Sequence, residues 1–128
     1  MPFSLTAERT TILVAEDDPL IRDLATDVFA DMGMRVSACG TADEAFDFLQ
    51  HHADQVSLVF ADIRMPGTLN GVDLARSIFE RWPGIPVLLT SGDTFPSGLP
   101  PTVGFLPKPW SLIQLLRSAK ICGLAVGH

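Results

Sequence analysis

The chain has 128 residues, of which 47% are hydrophobic and 19% charged, and its formal net charge is -6 at pH 7. This length is typical of one domain with a sizeable core, and the acidic balance argues against an independent nucleic-acid-binding protein. No apolar run approaches the roughly 20 residues that span a bilayer, and the N-terminus lacks a signal-peptide pattern. Because Cys39 and Cys122 have no metal-binding spacing, we expect reduced thiols and a cytoplasmic location.

Apolar runs alternate with helical patterns along the chain, which predicts βα units and a parallel sheet. In the first part of the chain, a strand near residues 11–16 is followed by a helix at 19–32. A half-buried strand at 34–39 then leads to a second helix. Thr41 is the predicted N-cap of this helix, and Glu44 is three residues further on, as in a capping box.

The second part of the chain continues the alternation until the fourth strand. The predicted elements are a strand at 56–62, a helix at 72–82, strands at 85–90 and 103–106, and a helix at 110–121. We expect the last helix to face inward with Leu112, Ile113, Leu115, Leu116 and Ala119. Between the last two strands, three prolines and two glycines in residues 91–102 make a long helix unfavourable, so we predict a loop there, or at most one or two turns.

Polar residues follow three of the predicted strands, at the point where each strand ends. Glu16 and Asp17 follow the first strand, Asp62 ends the third, and Lys108 follows the last. The carboxyl ends of parallel strands share one edge of the sheet, where open α/β folds bind their ligands. The sequence therefore predicts a carboxylate cluster with one lysine, a combination that suits a divalent cation and a phosphoryl group.

The chemistry of these residues indicates a role for each. Asp62 is the predicted nucleophile, because a carboxylate can attack phosphorus and form an acyl phosphate. Glu16 and Asp17 are the predicted Mg²⁺ ligands, because crowded carboxylates need a cation. Lys108 and the Thr90 hydroxyl are predicted to contact the phosphoryl group. Taken singly, each residue has a simpler explanation as a loop acid, turn cap, surface lysine or strand residue, but together they favour a site.

Four segments carry a resemblance to a known family: ILVAEDDP at 12–19, DIRMPG at 62–67, LTS at 89–91 and LPKP at 106–109. Together they resemble the receiver domain of response regulators in two-component signalling. The resemblance covers about residues 10–121, so residues 1–9 and 122–128 are expected to be tails. It implies a flavodoxin-like, doubly wound sheet of five parallel strands in the order 2-1-3-4-5.

The resemblance also implies specific roles for the residues of the site. Asp62 would accept a phosphoryl group from a histidine of a sensor histidine kinase or histidine phosphotransfer protein. The implied Mg²⁺ ligands are Glu16, Asp17, Asp62 and the backbone carbonyl of Arg64. The residues implied to act with the phosphoryl group are Lys108, Thr90 and the switch aromatic Phe105, whose rotamer would be coupled to Thr90. The Lys108-Pro109 bond is often cis in the family.

Two departures from the family pattern stand out. The loop after Asp62 has extra residues at 67–71, a form that resembles the receivers attached to hybrid histidine kinases. The helix between the fourth and fifth strands is predicted to be shortened or absent. Because this helix belongs to the surface through which receivers often dimerise, we expect that surface to be remodelled and any homodimer to differ from the usual one.

Three functions are compatible with these residues. The first is a phosphorylation-switched module that acts on a downstream protein target and neither binds nucleic acid directly nor inserts into a membrane. In one version of this function, the chain is a receiver fragment of a hybrid histidine kinase. The second is a small Mg²⁺-dependent phosphatase with an aspartate nucleophile, but such enzymes usually carry a second aspartate where Arg64 stands here. We therefore do not expect this protein to be an enzyme that turns over a substrate. The third is a degenerate scaffold, which predicts a missing site residue, yet all are present.

Overall fold

A computed structural model describes residues 9–93 and 96–123, whose strands form one parallel sheet. The strands are β1 (Thr11–Ala15), β2 (Arg35–Cys39), β3 (Val56–Asp62), β4 (Val87–Ser91) and β5 (Val103–Pro107). The helices are α1 (Pro19–Asp31), α2 (Ala42–His52), α3 (Gly71–Arg81) and α4 (Leu112–Cys122), with a short 3-10 turn at Ala53–Gln55. The strand order β2-β1-β3-β4-β5 confirms the flavodoxin-like order.

The sheet is buried on both faces because helices cover each side of it. Successive residues of its central strands point to opposite sides and therefore enter two different clusters. In β1, Leu13 and Ala15 belong to the cluster that contains the buried residues of α2 and α3. Ile12 and Val14 belong to the opposite cluster, which contains the buried residues of α1 and α4. This burial explains why the central strands are continuous apolar runs in the sequence, and it fixes the position of their polar carboxyl ends.

Hydrogen bonds at the helix starts differ in part from the prediction. The Thr41 hydroxyl accepts a hydrogen bond from the Glu44 N–H at 3.0 Å, as expected of an N-cap. The Glu44 carboxylate, however, accepts from the N–H of Gly40 and not from that of Thr41, so the predicted capping box is incomplete. A complete capping box, which the sequence reading did not identify, joins Asn70 and Asp73 and starts α3 immediately after the site loop.

The inward face assigned to the last helix is partly wrong. Leu115 and Ala119 are fully buried and Leu116 partly so, but Leu112 is 51% exposed and Ile113 is 61% exposed. At 100° per residue, Ile113 lies almost opposite Leu115 on the helix. Leu112 lies in the first turn, before the buried stripe begins. The beginning of α4 therefore presents apolar side chains to solvent.

The connection between β4 and β5 contains no helix among its described residues, 92, 93 and 96–102. This confirms the expected loss of the helix found at this place in the family pattern. Leu99 of this connection packs against the cluster on the α2 and α3 face. Phe95, the other large apolar residue of this connection, lies outside the described residues. No helix in the described part of the chain has the length and hydropathy needed to cross a membrane.

Candidate functional site

The predicted site residues meet at the carboxyl edge of the sheet. Glu16 and Asp17 directly follow β1, and Asp62 is the last residue of β3. Thr90 of β4 is the register partner of Asp62, and Lys108 directly follows β5. Each side chain is placed by the end of a buried strand, so the parallel topology alone brings distant parts of the chain together.

Lys108 forms ion pairs with two of the carboxylates. Its Nζ lies 2.6 Å from Asp62 Oδ2 and 3.2 Å from Glu16 Oε1. The side chain of Glu16 is 1% exposed and that of Asp62 is 7% exposed, whereas that of Lys108 is 21% exposed. The site therefore holds two nearly buried carboxylates and one partly exposed lysine ammonium group that contacts both.

The acidic residues satisfy the geometric requirement for a shared cation. Carboxylate oxygens of Glu16, Asp17 and Asp62 lie within 4.8 Å of one another. Glu16 Oε2 accepts a hydrogen bond from the Asp18 N–H, but the buried Oε1 has no hydrogen-bond partner among the described residues, although it lies within ion-pair distance of Lys108. Because Mg²⁺ prefers oxygen ligands and needs only one or two carboxylates, these donors fit that ion.

The pKa values of Glu16 and Lys108, at the centre of the site, are both raised, but for different reasons. Desolvation, reinforced by the charge of Asp62, raises the pKa of Glu16 to about 7, despite the opposing effects of the Asp18 N–H and Lys108. Desolvation alone would lower the pKa of Lys108. The hydrogen bond and charge of Asp62, together with the charge of Glu16, outweigh it, so the pKa of Lys108 is raised. Lys108 therefore stays protonated beside its carboxylates.

Arg64 borders the site through its backbone and its side chain. Its N–H donates a hydrogen bond to Asp62 Oδ1 at 3.1 Å, which holds the Arg64 backbone beside the Asp62 carboxylate. Its guanidinium forms an exposed ion pair with Asp93, at 2.5 Å, across the opening of the site. A cleft of about 780 Å³ lies there, with Asp17 and Ser91 among its lining residues. Of the three clustered acids, Asp17 is the one that lines this cleft.

Thr90 and Phe105 lie where the sequence placed them, but the Thr90 hydroxyl does not point to Asp62. Thr90 is fully buried, and its hydroxyl donates to the carbonyl of Leu106 at 2.7 Å. Phe105 is half-buried and packs against the cluster on the α2 and α3 face. In this conformation the hydroxyl proton is donated to β5, so a hydrogen bond from Thr90 to a phosphoryl oxygen would require the bond to Leu106 to break.

Two contacts near the site involve residues that the sequence reading missed. Arg22 of α1 donates from Nη1 to the carbonyl of Glu16 at 2.9 Å, which fixes the backbone at the start of the acidic loop. Asp43 of α2 accepts a hydrogen bond from Thr68 in the loop after Asp62. Neither residue belongs to a sequence motif, and both become recognisable only when the helices are packed on the sheet. The Lys108-Pro109 bond is cis.

Comparison with known proteins finds relatives that agree with the family model matching this chain. The family model of the response regulator receiver domain matches residues 12–120. Sensor kinase CckA of Brucella abortus is 31% identical over 115 residues, which cover 86% of this chain and 12% of CckA. The hydrogenase transcriptional regulatory protein HoxA of Cupriavidus necator is 32% identical over 121 residues, which cover 88% of this chain and 24% of HoxA. The chain thus spans less than a quarter of the length of either relative.

Solved structures agree with these relatives. A response regulator receiver protein from Sinorhizobium medicae has a TM-score of 0.82 at 27% identity and covers 91% of this chain and 95% of its own. The receiver domain of the hybrid histidine kinase CckA has a TM-score of 0.74 at 28% identity, with coverages of 88% and 97%. The chemotaxis response regulator CheY4 of Vibrio cholerae reaches 0.76 at 20% identity, with coverages of 88% and 98%, which supports the fold alone.

Proposed function

Because the chain belongs to the response regulator receiver family, we propose that Asp62 accepts the phosphoryl group and Lys108 contacts it. The observation that carries this proposal is the 2.6 Å contact between Lys108 Nζ and the nearly buried Asp62 Oδ2, within a cluster of three carboxylates. We further propose Glu16, Asp17, Asp62 and the Arg64 carbonyl as Mg²⁺ ligands, Thr90 as a phosphoryl contact, and Thr90 with Phe105 as the switch pair.

The proposed reaction transfers a phosphoryl group from a phosphohistidine to Asp62. A carboxylate oxygen of Asp62 forms the new O–P bond as the P–N bond breaks, and the imidazole leaves with the bonding electron pair and takes up a proton. Lys108 offsets negative charge on the phosphoryl oxygens, and Arg64 N–H orients the attacking carboxylate. A Mg²⁺ ion held by Glu16, Asp17, Asp62 and the Arg64 carbonyl would supply positive charge that offsets the negative charge of the carboxylates and of the phosphoryl group.

A phosphatase is not favoured as the alternative. An enzyme of that type would place a second carboxylic acid two residues after the nucleophile, and here Arg64 occupies that position and binds Asp93. We therefore propose a protein that catalyses its own phosphorylation and slow dephosphorylation and does not turn over a substrate. A scaffold without phosphorylation would leave the buried pairing of Lys108 with Asp62 and Glu16 without a chemical role.

We expect Asp62→Asn to abolish phosphorylation by a small acyl-phosphate donor. The amide is not nucleophilic at its oxygen, whereas its size preserves the packing at the end of β3. Intact mass after incubation with the donor and Mg²⁺ would show one added phosphoryl group in the wild type and none in the variant. Asp93→Asn is the matched control, since its carboxylate lies 58% exposed at the cleft opening and should not be needed as acceptor. An adduct that persists in Asp62→Asn would refute the proposal.

We also propose that the phosphohistidine partner docks on α1 and the connection before α4. Leu20 is 73% exposed and Leu24 is 45% exposed on α1. A mainly apolar cleft of about 250 Å³, with Leu24 and Trp110 among its lining residues, lies directly beside Lys108. An apolar surface next to the reactive group can hold a partner while its histidine reaches Asp62.

We expect Leu24→Ser to slow transfer from a phosphorylated histidine phosphotransfer protein by about tenfold, the loss typical of an interface anchor. Phosphorylation by the small donor should be unchanged, because that donor does not need the docking surface. Phe79→Ser is the control, because Phe79 is 40% exposed on α3, away from this cleft. Equal rates for Leu24→Ser and wild type with the protein donor would place the partner elsewhere.

The remaining parts of the proposal concern output and location. We propose a downstream protein target and no direct contact with nucleic acid, which the net charge of -6 supports. HoxA, a transcriptional regulatory protein, extends well beyond the matched segment, so its output is a property of that longer protein. The free thiols of Cys39 and Cys122 suit the proposed cytoplasmic location. A homodimer is part of the proposal only as one possible output.

A further inference from the structure

The loop between β3 and α3, residues 63–70, is closed at its base by backbone contacts. The N–H of Gly71 donates to the carbonyl of Ile63 at 2.9 Å. Gly71 also lies so close to the backbone of Asp62 and Ile63 that a Cβ atom would collide with it. These contacts fix both ends of the loop beside Asp62, and Met65 and Leu69 pack against the core cluster on the α2 and α3 face. Gly67 and Thr68, at the tip between them, are exposed.

The tip of the loop is held by Asp43, from the first turn of α2. The N–H of Thr68 donates to Asp43 Oδ2 at 2.8 Å. Gly67 adopts a φ of 111° and lies against the same carboxylate, where a side chain would collide with it. Among the described residues, the Thr68 contact is the one hydrogen bond from the backbone of residues 65–69 to another element.

From this geometry we infer that Asp43 is a positioning residue for the metal site. The inference rests on the proposed function, in which the Arg64 carbonyl at the start of the loop is a Mg²⁺ ligand. Arg64 is four residues before Thr68, and only the short segment between them separates the proposed ligand from the anchored tip. Fixing the tip restricts the conformations of that segment, so the carbonyl is held in place before the cation arrives.

Asp43 also has a plain structural role that a test must separate from positioning. An acidic residue in the first turn stabilises a helix through its dipole, and α2 has two of them, Asp43 and Glu44. Glu44 accepts a hydrogen bond from the N–H of Gly40 and has none with the loop in the described part of the chain, so it shares the first turn of α2 with Asp43 without the connection to the loop. Glu44→Ala is therefore the matched control for the loss of an acid at this terminus.

The test measures Mg²⁺ binding by calorimetry, and hydrogen exchange of the Thr68 amide in metal-free protein, in three variants. We expect Asp43→Ala to bind Mg²⁺ roughly tenfold more weakly than the wild type, as loss of an outer-shell contact typically does, and to exchange the Thr68 amide faster. Asp43→Asn retains an oxygen that can accept the Thr68 hydrogen bond, so it should restore most of the affinity. Glu44→Ala should bind Mg²⁺ as the wild type does.

Unchanged Mg²⁺ affinity in Asp43→Ala would overturn the inference, as would an equal loss in Glu44→Ala or a wild type that binds no Mg²⁺. Both measurements are made without a phosphodonor. A wild-type protein that binds Mg²⁺ but takes up no phosphoryl group would therefore refute the proposed function without altering the comparison among the variants.

Discussion

Lys108→Met is expected to slow phosphorylation of Asp62 by about 100-fold or more, the loss typical of removing a preorganised donor from a developing negative charge. The same substitution should strengthen Mg²⁺ binding. Lys108 lies 2.6 Å from Asp62 and 3.2 Å from Glu16, so its positive charge competes with a cation for both carboxylates. Opposite effects on Mg²⁺ affinity and on phosphorylation rate would separate a phosphoryl contact from a general role in folding.

Phosphorylation rates with the small donor and Mg²⁺ titrations test this prediction on the same protein samples. Lys120→Met is the control, because Lys120 is exposed in the last turn of α4 and its loss removes the same charge away from the site. If Lys108→Met were phosphorylated as fast as Lys120→Met, the proposed contact between Lys108 and the phosphoryl group would be wrong.

Glu16 should make both stability and Mg²⁺ affinity depend on pH near neutrality. Its pKa is raised from 4.5 to about 7, so the folded protein holds this proton more tightly than the unfolded chain. Without Mg²⁺, the stability contributed by protonated Glu16 is fully present below about pH 4.5 and is lost as the pH rises to about 7. Mg²⁺ requires the ionised carboxylate, so its affinity should fall about tenfold for each pH unit below about 7.

Urea unfolding at several pH values, without metal, and Mg²⁺ titration over the same range would measure these two effects. Glu16→Gln keeps the size of the side chain but cannot ionise, so the difference between wild type and variant isolates this group from the other carboxylates. The control Glu44→Gln changes an acid outside the site. A wild type and a Glu16→Gln variant with parallel stability profiles between pH 4.5 and 7 would show that Glu16 ionises normally.

The sheet and the meeting of Glu16, Asp62 and Lys108 at its edge were predictable because both depend on local patterns. Buried strands are continuous apolar runs, and their polar ends must meet once the strands are parallel, which places Glu16, Asp62 and Lys108 together. The loss of a helix between β4 and β5 followed from prolines and glycines. Each of these conclusions depends on only a few neighbouring residues.

Features that depend on packing between distant elements could not be predicted in the same way. The exposure of Leu112 depends on where α4 meets the sheet, which its apolar pattern does not specify. The Thr90 hydroxyl has several possible acceptors, and its choice of the Leu106 carbonyl is decided by the side-chain rotamer. The contact between Asp43 and Thr68 joins a helix start to a loop that carries no recognisable signal for such a partner.

Locating the phosphoryl group on the chain tests the central claim most directly. Wild-type protein would be incubated with a phosphorylated histidine phosphotransfer protein and Mg²⁺, and the acyl phosphate would then be trapped by borohydride reduction and mapped by peptide mass spectrometry. Our account predicts one reduced residue, Asp62, and its absence when Mg²⁺ is chelated. A modification at Asp17 or Glu16 in place of Asp62, or an unmodified chain beside a control receiver that the same donor phosphorylates, would contradict it.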